Sequence, residues 1–155
     1  GAVMADADGS ASPSLRVVPL FETVDDLRRG GATIRALLSI PWYREHADRG
    51  VEIIGLAYER KDDFDYASNR VKKMVEKFDV PYDIVIAGTN DKEKASQTLP
   101  MINQVLAFPT TIFIGKDGKV KKIHTGFSGP GTGIYYDQFV DHFNETVNAC
   151  LAENI

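Results

Sequence analysis

Apolar runs and alternating segments divide the chain into predicted strands. The run Val51–Tyr58 (VEIIGLAY) is almost continuously apolar, which is typical of a strand buried on both faces of a parallel sheet. Leu15–Phe21 (LRVVPLF) predicts another strand, although Pro19 cannot donate to a central ladder. Pro81 favours extended backbone before it, and Asp83–Ala87 (DIVIA) follows as a third predicted strand.

Helical patterns predict five helices. Asp62 and Asp63 open a helix with one apolar face, and Arg70 lies on the opposite, charged face. The apolar positions of this helix are Phe64, Ala67, Val71, Val75 and Phe78. The other predicted helices begin near Thr23, cover Ala32–Ala47 and Lys92–Leu99, and follow Gly133 at the end of the chain. The last of them has an apolar stripe of Tyr136, Phe139, Phe143, Val147, Cys150 and Leu151.

Two alternating segments, TTIFIG and KVKKIHT, flank the turn Lys116-Asp117-Gly118 and predict a β-hairpin. The resulting order is β-α-β-α-β, a connecting helix, a hairpin and a closing helix. Parallel strands followed by an antiparallel pair predict a mixed central sheet with helices on both faces, a three-layer α/β/α fold of the thioredoxin-like type. Residues 1–14 are small and polar and are expected to form a flexible tail before one domain at 15–155.

Composition and charge exclude several classes of function. The 155 residues include 18 Lys plus Arg and 22 Asp plus Glu, with no basic face, so nucleic acid is not an expected partner. No apolar run reaches the ~18 residues that would span a bilayer. The three histidines, His46, His124 and His142, lie on three separate predicted elements, and Cys150 is the single cysteine. Neither a metal site nor a cofactor is therefore predicted.

Residues 41–153 resemble the TlpA/ResA type of thioredoxin-fold proteins, the redoxin or AhpC/TSA-like group, in the form found in Bacteroidetes-type bacteria. The matching stretches are PWYREHADRGVEIIGLAYER, FPTTIFIGKDGKV and KIHTGFSGPGTGIYYDQF. The resemblance implies a periplasmic or otherwise extracytoplasmic protein. It also implies thiol–disulfide exchange with partner proteins through a Trp-Cys-x-x-Cys motif, without a cofactor.

The cysteine motif of this group is absent. It is expected about 22 residues before Val51, where the chain reads Arg29-Gly30-Gly31-Ala32, so that Arg29 and Ala32 occupy the two cysteine positions. Natural loss, a divergent paralogue, and a corrupted or engineered amino-terminal region all remain open. Cys150 falls in the apolar stripe of the last helix, which favours a buried small side chain over a reactive thiol.

The resemblance assigns Phe108, Pro109 and Thr110 to a cis-proline loop that pairs with an extended peptide of a partner protein. It predicts a cis Phe108–Pro109 bond, while a purely structural loop remains the alternative. Gly126–Gly133 is glycine-rich and precedes a helix, which favours a rigid turn over a small-anion site. Asp62, Asp63 and Asp65 are expected to complement a helix N-terminus rather than to bind a metal.

Three functional hypotheses follow. The first is a redox-inactive thioredoxin-like module that binds an extracytoplasmic protein or peptide at the Pro109 loop. The second is a working thiol–disulfide oxidoreductase whose motif region is altered in this sequence. The third and weaker one is a small-anion binder at Gly126–Gly133.

Overall fold

The computed structural model describes the backbone of residues 15–21 and the whole of residues 49–153. Its strands are β1 (Leu15–Phe21), β2 (Val51–Glu59), β3 (Asp83–Thr89), β4 (Thr110–Ile114) and β5 (Val120–Thr125). Its helices are α1 (Phe64–Phe78), α2 (Lys92–Gln97) and α3 (Ile134–Leu151), with a 3-10 turn at Pro130–Thr132. The strands form one sheet in the order β3-β2-β1-β4-β5.

Strand β1 lies at the centre of the sheet, parallel to β2 and antiparallel to β4. Pro19 therefore lies in a central strand, a position that is unfavourable for proline because proline cannot donate to the ladder. On the β2 side the paired positions run from Leu15 to Val17 and resume at Leu20, so the ladder passes over Val18 and Pro19. Because the ladder with β2 is interrupted there, it does not require the N–H that proline lacks.

Helices cover both faces of the sheet, so the predicted three-layer α/β arrangement with a mixed sheet is confirmed. On one face α1 and α3 enclose a core that contains Met74, Phe113 and Val147. On the other face α2 and the segment that follows it pack on the sheet with Tyr58 and Ile112. Ile112 and Phe113 are neighbours on β4 and point to opposite faces, as alternation along a strand requires.

Helix α1 follows its predicted periodicity except at its first residue. Asp63 is the N-cap, and its carboxylate accepts a hydrogen bond from the backbone N–H of Tyr66 at 2.9 Å. Ala67 and Val71 are buried as predicted, whereas Phe64 is 72% exposed. The prediction for Phe64 is wrong because periodicity fixes the direction of a side chain but not how far the facing surface extends.

Several predictions fall outside the described residues. They are the tail at 1–14, the helices near Thr23 and over Ala32–Ala47, and His46. The single domain at 15–155 likewise stays a prediction. Within residues 15–21 and 49–153, no helix has the length and apolarity that crossing a bilayer requires.

The predicted β4–β5 hairpin is present, and charged side chains connect it to the end of α3. Asp117 accepts a hydrogen bond from the backbone N–H of Lys119 at 3.1 Å. Lys121 Nζ lies 3.2 Å from the Asp117 carboxylate and 2.8 Å from that of Glu153. The Lys119 N–H and the nearby Lys121 ammonium lower the pKa of Asp117. The hairpin turn is thus fixed by an ionised Asp117.

Protonation of Asp117 is expected to remove a stabilising contribution at low pH. Because its pKa is lowered in the folded state, that contribution is present above the unfolded-state pKa of about 4 and is lost as pH falls through the lower folded-state pKa. The melting temperature of Asp117→Asn should therefore lie below that of the wild type at pH 6, and the difference should begin to shrink as the pH falls below about 4. Asp141→Asn, at an exposed position of α3, is the control. A difference that persists unchanged down to pH 3 would contradict the assignment.

Candidate functional site: the Pro109 loop at the carboxyl edge of the sheet

The Pro109 loop, defined as residues 106–110, lies at the edge of the sheet where β1 and β2 end. Strand register places Thr110 beside Leu20 of β1 and beside Thr125 of β5. Phe21 in turn pairs with Ala57 of β2. We call this the carboxyl edge. Loops at such an edge can carry variable chemistry on a fixed frame.

The Phe108 side chain packs against Tyr58 of β2. The Phe108–Pro109 peptide bond is cis, the isomer that the resemblance predicts. The Phe108 ring lies 5.4 Å from the ring of Tyr58, measured between centroids. Tyr58 is 1% exposed, and its hydroxyl forms a 2.8 Å hydrogen bond with Thr98 Oγ1. Burial raises the pKa of Tyr58, so the phenol is neutral at physiological pH. The Pro109 loop therefore packs, through Phe108, on an uncharged tyrosine ring.

Hydrogen bonds fix the carboxyl-terminal half of the loop. Thr110 is 2% exposed, and its hydroxyl donates to the Ala107 carbonyl oxygen at 2.6 Å. The Pro109 carbonyl accepts from the backbone N–H of Gly126 at 2.8 Å. Of the three predicted contact residues, Phe108 and Pro109 are half-buried and present some surface, whereas Thr110 supports the loop from inside.

A buried ion pair at the end of β2 is not predicted by the sequence pattern. Glu59 ends β2 and is 1% exposed. The Nε of Arg70, on α1, donates to its carboxylate at 3.2 Å. The sequence pattern places Arg70 on the charged face of α1 opposite the apolar one, and this prediction is wrong because the Arg70 side chain reaches the buried carboxylate at the end of β2. Glu59 directly follows the apolar run IIGLAY, and this carboxylate at the end of the run is the signal available in the sequence.

Cys150 lies far from the Pro109 loop in the fold. It is 3% exposed, near the end of α3, in the core formed with Phe143 and Val147. Burial, followed by the nearby Glu153 carboxylate, raises the pKa of the thiol. The predicted burial of Cys150 is confirmed, and a raised pKa is the opposite of what activates a reactive thiolate.

The remaining candidates are dispersed. The His124 ring packs at a tilt against Phe139, with ring centroids 5.0 Å apart, and burial lowers the pKa of His124. His142 is exposed on α3. Gly126–Gly133 contains the 3-10 turn, where the Thr132 hydroxyl donates to the Gly129 carbonyl at 2.7 Å. Among the described residues, no three His, Cys, Asp or Glu side chains are grouped to hold a metal. Arg29 and Ala32 lie outside that part of the chain.

Sequence comparison relates the amino-terminal part of the chain to a different kind of protein. A family model described as phosphoenolpyruvate carboxylase matches residues 2–62. Phosphoenolpyruvate carboxylase 4 of Arabidopsis thaliana is 69% identical over 36 residues, 23% of this chain and 4% of that protein. The chain spans only about 4–6% of the length of such curated relatives.

Structure comparison relates the fold to thioredoxin-like proteins. A thiol:disulfide interchange protein of the thioredoxin family from Chlorobium tepidum has a TM-score of 0.58 at 17% identity, covering 96% of this chain and 91% of that one. A thiol-disulfide isomerase from Corynebacterium glutamicum has a TM-score of 0.60 at 14% identity, covering 92% and 83%. The chain thus has a thioredoxin-like fold.

The two comparisons overlap in the amino-terminal part of the chain, because the structural alignments cover 96% and 92% of it and the carboxylase match ends at residue 62. The carboxylase match includes Arg29 and Ala32 as well as PWYREHADRGVEIIGLAYER, the first stretch that resembles TlpA/ResA proteins. The stretches FPTTIFIGKDGKV and KIHTGFSGPGTGIYYDQF lie beyond it. The Pro109 loop therefore lies in the part of the chain that the carboxylase match does not reach.

Proposed function

We propose that this chain is a redox-inactive thioredoxin-like module that binds an extended segment of a protein or peptide at the Pro109 loop. The observation that carries the proposal is a thioredoxin-like sheet with an anchored Pro109 loop in a chain whose one thiol is buried elsewhere. Disulfide exchange needs one thiolate to attack and a second thiol to resolve the mixed disulfide. Binding at the loop needs neither.

The absence of the cysteine pair has a specific source in this proposal. The positions where the pair is expected fall within residues 2–62, which match a carboxylase model rather than a thioredoxin-type one. This supports an amino-terminal region of different origin over gradual loss of two side chains. We do not extend carboxylase activity to the chain, because it spans so little of those proteins. An extracytoplasmic location is part of the proposal, and it rests on the resemblance to TlpA/ResA proteins.

The surface of the Pro109 loop suits an apolar, extended partner. Leu106 is 59% exposed at the beginning of the loop, and Phe108 and Pro109 follow it. Backbone pairing gives affinity without demanding one sequence, while apolar contacts add to it. The partner class is therefore unfolded or extended polypeptide with exposed apolar residues.

Binding of an unfolded protein without free thiols tests this function. Reduced, carboxamidomethylated ribonuclease A should bind the wild-type chain, and Leu106→Asp should weaken binding about ten-fold, because an apolar contact is replaced by a charge. Tyr135→Asp is the matched control, since Tyr135 is 66% exposed on α3, which packs on the other face of the sheet. Isothermal titration calorimetry measures both. Equal loss in the two variants, or no binding by the wild type, would contradict the proposal.

A further inference from the structure

A cavity of about 580 Å³ opens between α2 and the segment that leads into the Pro109 loop. This volume is within the range of ligand-sized clefts. Its walls come from two parts of the chain that are brought together only by folding. They are Lys92, Glu93, Ser96 and Gln97 on α2, and Asn103, Gln104, Val105 and Leu106 on the facing segment.

The walls of the cavity are held together by one serine. Ser96 Oγ donates to the Lys92 carbonyl at 2.6 Å and accepts from the backbone N–H of Val105 at 2.8 Å. Val105 is 4% exposed and belongs to the core on this face of the sheet. The facing segment is therefore pinned to α2, and the cavity exists before anything enters it.

The chemistry of the lining favours a neutral, hydrogen-bonding group. Three of the lining side chains are carboxamides, which offer both donors and acceptors: Gln97, Asn103 and Gln104. Lys92 and Glu93 carry opposite charges, so the lining has no net charge to select an ion.

The cavity is continuous with the Pro109 loop. Leu106 belongs to both, and three residues of chain separate it from Pro109 by at most about 11 Å. An extended polypeptide places alternate side chains on one side, about 7 Å apart. A polypeptide that crosses Phe108 therefore brings another of its side chains to the cavity.

We propose that this cavity is a side-chain subsite of the Pro109 loop that accepts asparagine, glutamine, serine or threonine of an extended polypeptide. The inference rests on the proposed binding function of the loop and adds a sequence preference to it. Asn103 and Gln104 are the residues that set the preference, because they face α2 from the segment that continues into the loop.

An array of thiol-free, acetylated nonapeptides of alanine, threonine and valine tests the subsite, with each position varied in turn through all residues. At one position the wild-type chain should prefer the four neutral hydrogen-bonding residues over leucine, lysine and aspartate by about five-fold, the effect of one hydrogen bond. The double variant Asn103→Leu/Gln104→Leu should lose this preference and still bind the array. Gln138→Leu, at an exposed position on α3, should keep it.

The outcomes separate the subsite from the loop. Peptides that bind without any positional preference, or a preference that survives in the double variant, would overturn the subsite and leave loop binding intact. Failure of the wild-type chain to bind any peptide would overturn both. Circular dichroism checks that the double variant is folded, and Asn103→Ser/Gln104→Ser provides a second, polar variant that should retain part of the preference.

Discussion

Arg70→Met is expected to lower the free energy of unfolding by about 3 kcal/mol, the lower part of the range for breaking a buried ion pair. Glu59 is almost completely buried, so removal of the guanidinium takes a charged hydrogen-bond donor away from a buried carboxylate. The lower part of the range applies because the Arg70 side chain is 20% exposed. Urea denaturation followed by circular dichroism measures the change.

Two variants define what this loss means. Lys72→Met removes a cation from an exposed position of the same helix and should change stability by less than about 0.5 kcal/mol. The double variant Glu59→Leu/Arg70→Met should recover most of the loss, since two apolar side chains can replace a buried ion pair at little cost. If Arg70→Met were no more destabilising than Lys72→Met, the Glu59–Arg70 pair would not contribute to the free energy of unfolding.

No acceleration of insulin reduction by dithiothreitol is expected from the purified protein. Cys150 is 3% exposed and its pKa is raised by burial, so the thiolate that must attack a disulfide is scarce. No second cysteine exists in the chain to resolve a mixed disulfide. The turbidity of precipitating insulin chains measures the rate, with a thioredoxin that has both cysteines as the positive control.

Cys150→Ser should give the same background rate as the wild type. Turnover that disappears in this variant would show that Cys150 reacts and would refute the redox-inactive module.

The alternative of an oxidoreductase with an altered motif region is tested by restoring the two cysteines. If Arg29 and Ala32 occupy working motif positions, Arg29→Cys/Ala32→Cys in the Cys150→Ser background should restore exchange, with a pKa of the first thiol below its free value of about 8.5. We expect no restoration, because these residues fall within the carboxylase match.

Periodicity and turn chemistry predicted most of the elements because they are local. VEIIGLAY is typical of a strand covered on both faces, and the Lys-Asp-Gly turn is typical of a hairpin. The first turn of α1 was also predictable, since an aspartate before an apolar stripe caps a helix. Lys92–Leu99 was predicted slightly too long: α2 ends at Gln97, and Leu99 instead enters the core beyond the helix.

The environment of each charged residue was less accessible to sequence reasoning. Arg70 and Lys72 look alike as positions on a polar helix face, yet one pairs with buried Glu59 and the other is exposed. The difference depends on where β2 ends in space, which is a long-range property. The central position of β1 also depends on long-range packing. Pro19 favours an edge strand, whereas in the structure β1 lies in the centre of the sheet and its ladder with β2 passes over Pro19.

By itself, the sequence determined the α/β composition, the hairpin, the position of Cys150 in a buried stripe and the lack of a second thiol, because periodicity, turn residues and residue counts are properties of the chain alone. The tertiary structure decided the strand order, the Glu59–Arg70 pair and the packing of Phe108 on Tyr58. It also decided the cavity, since Ser96 meets Val105 only when the segment after α2 folds back on the helix. Contacts between distant parts of the chain depend on how the elements pack, and no local pattern specifies that.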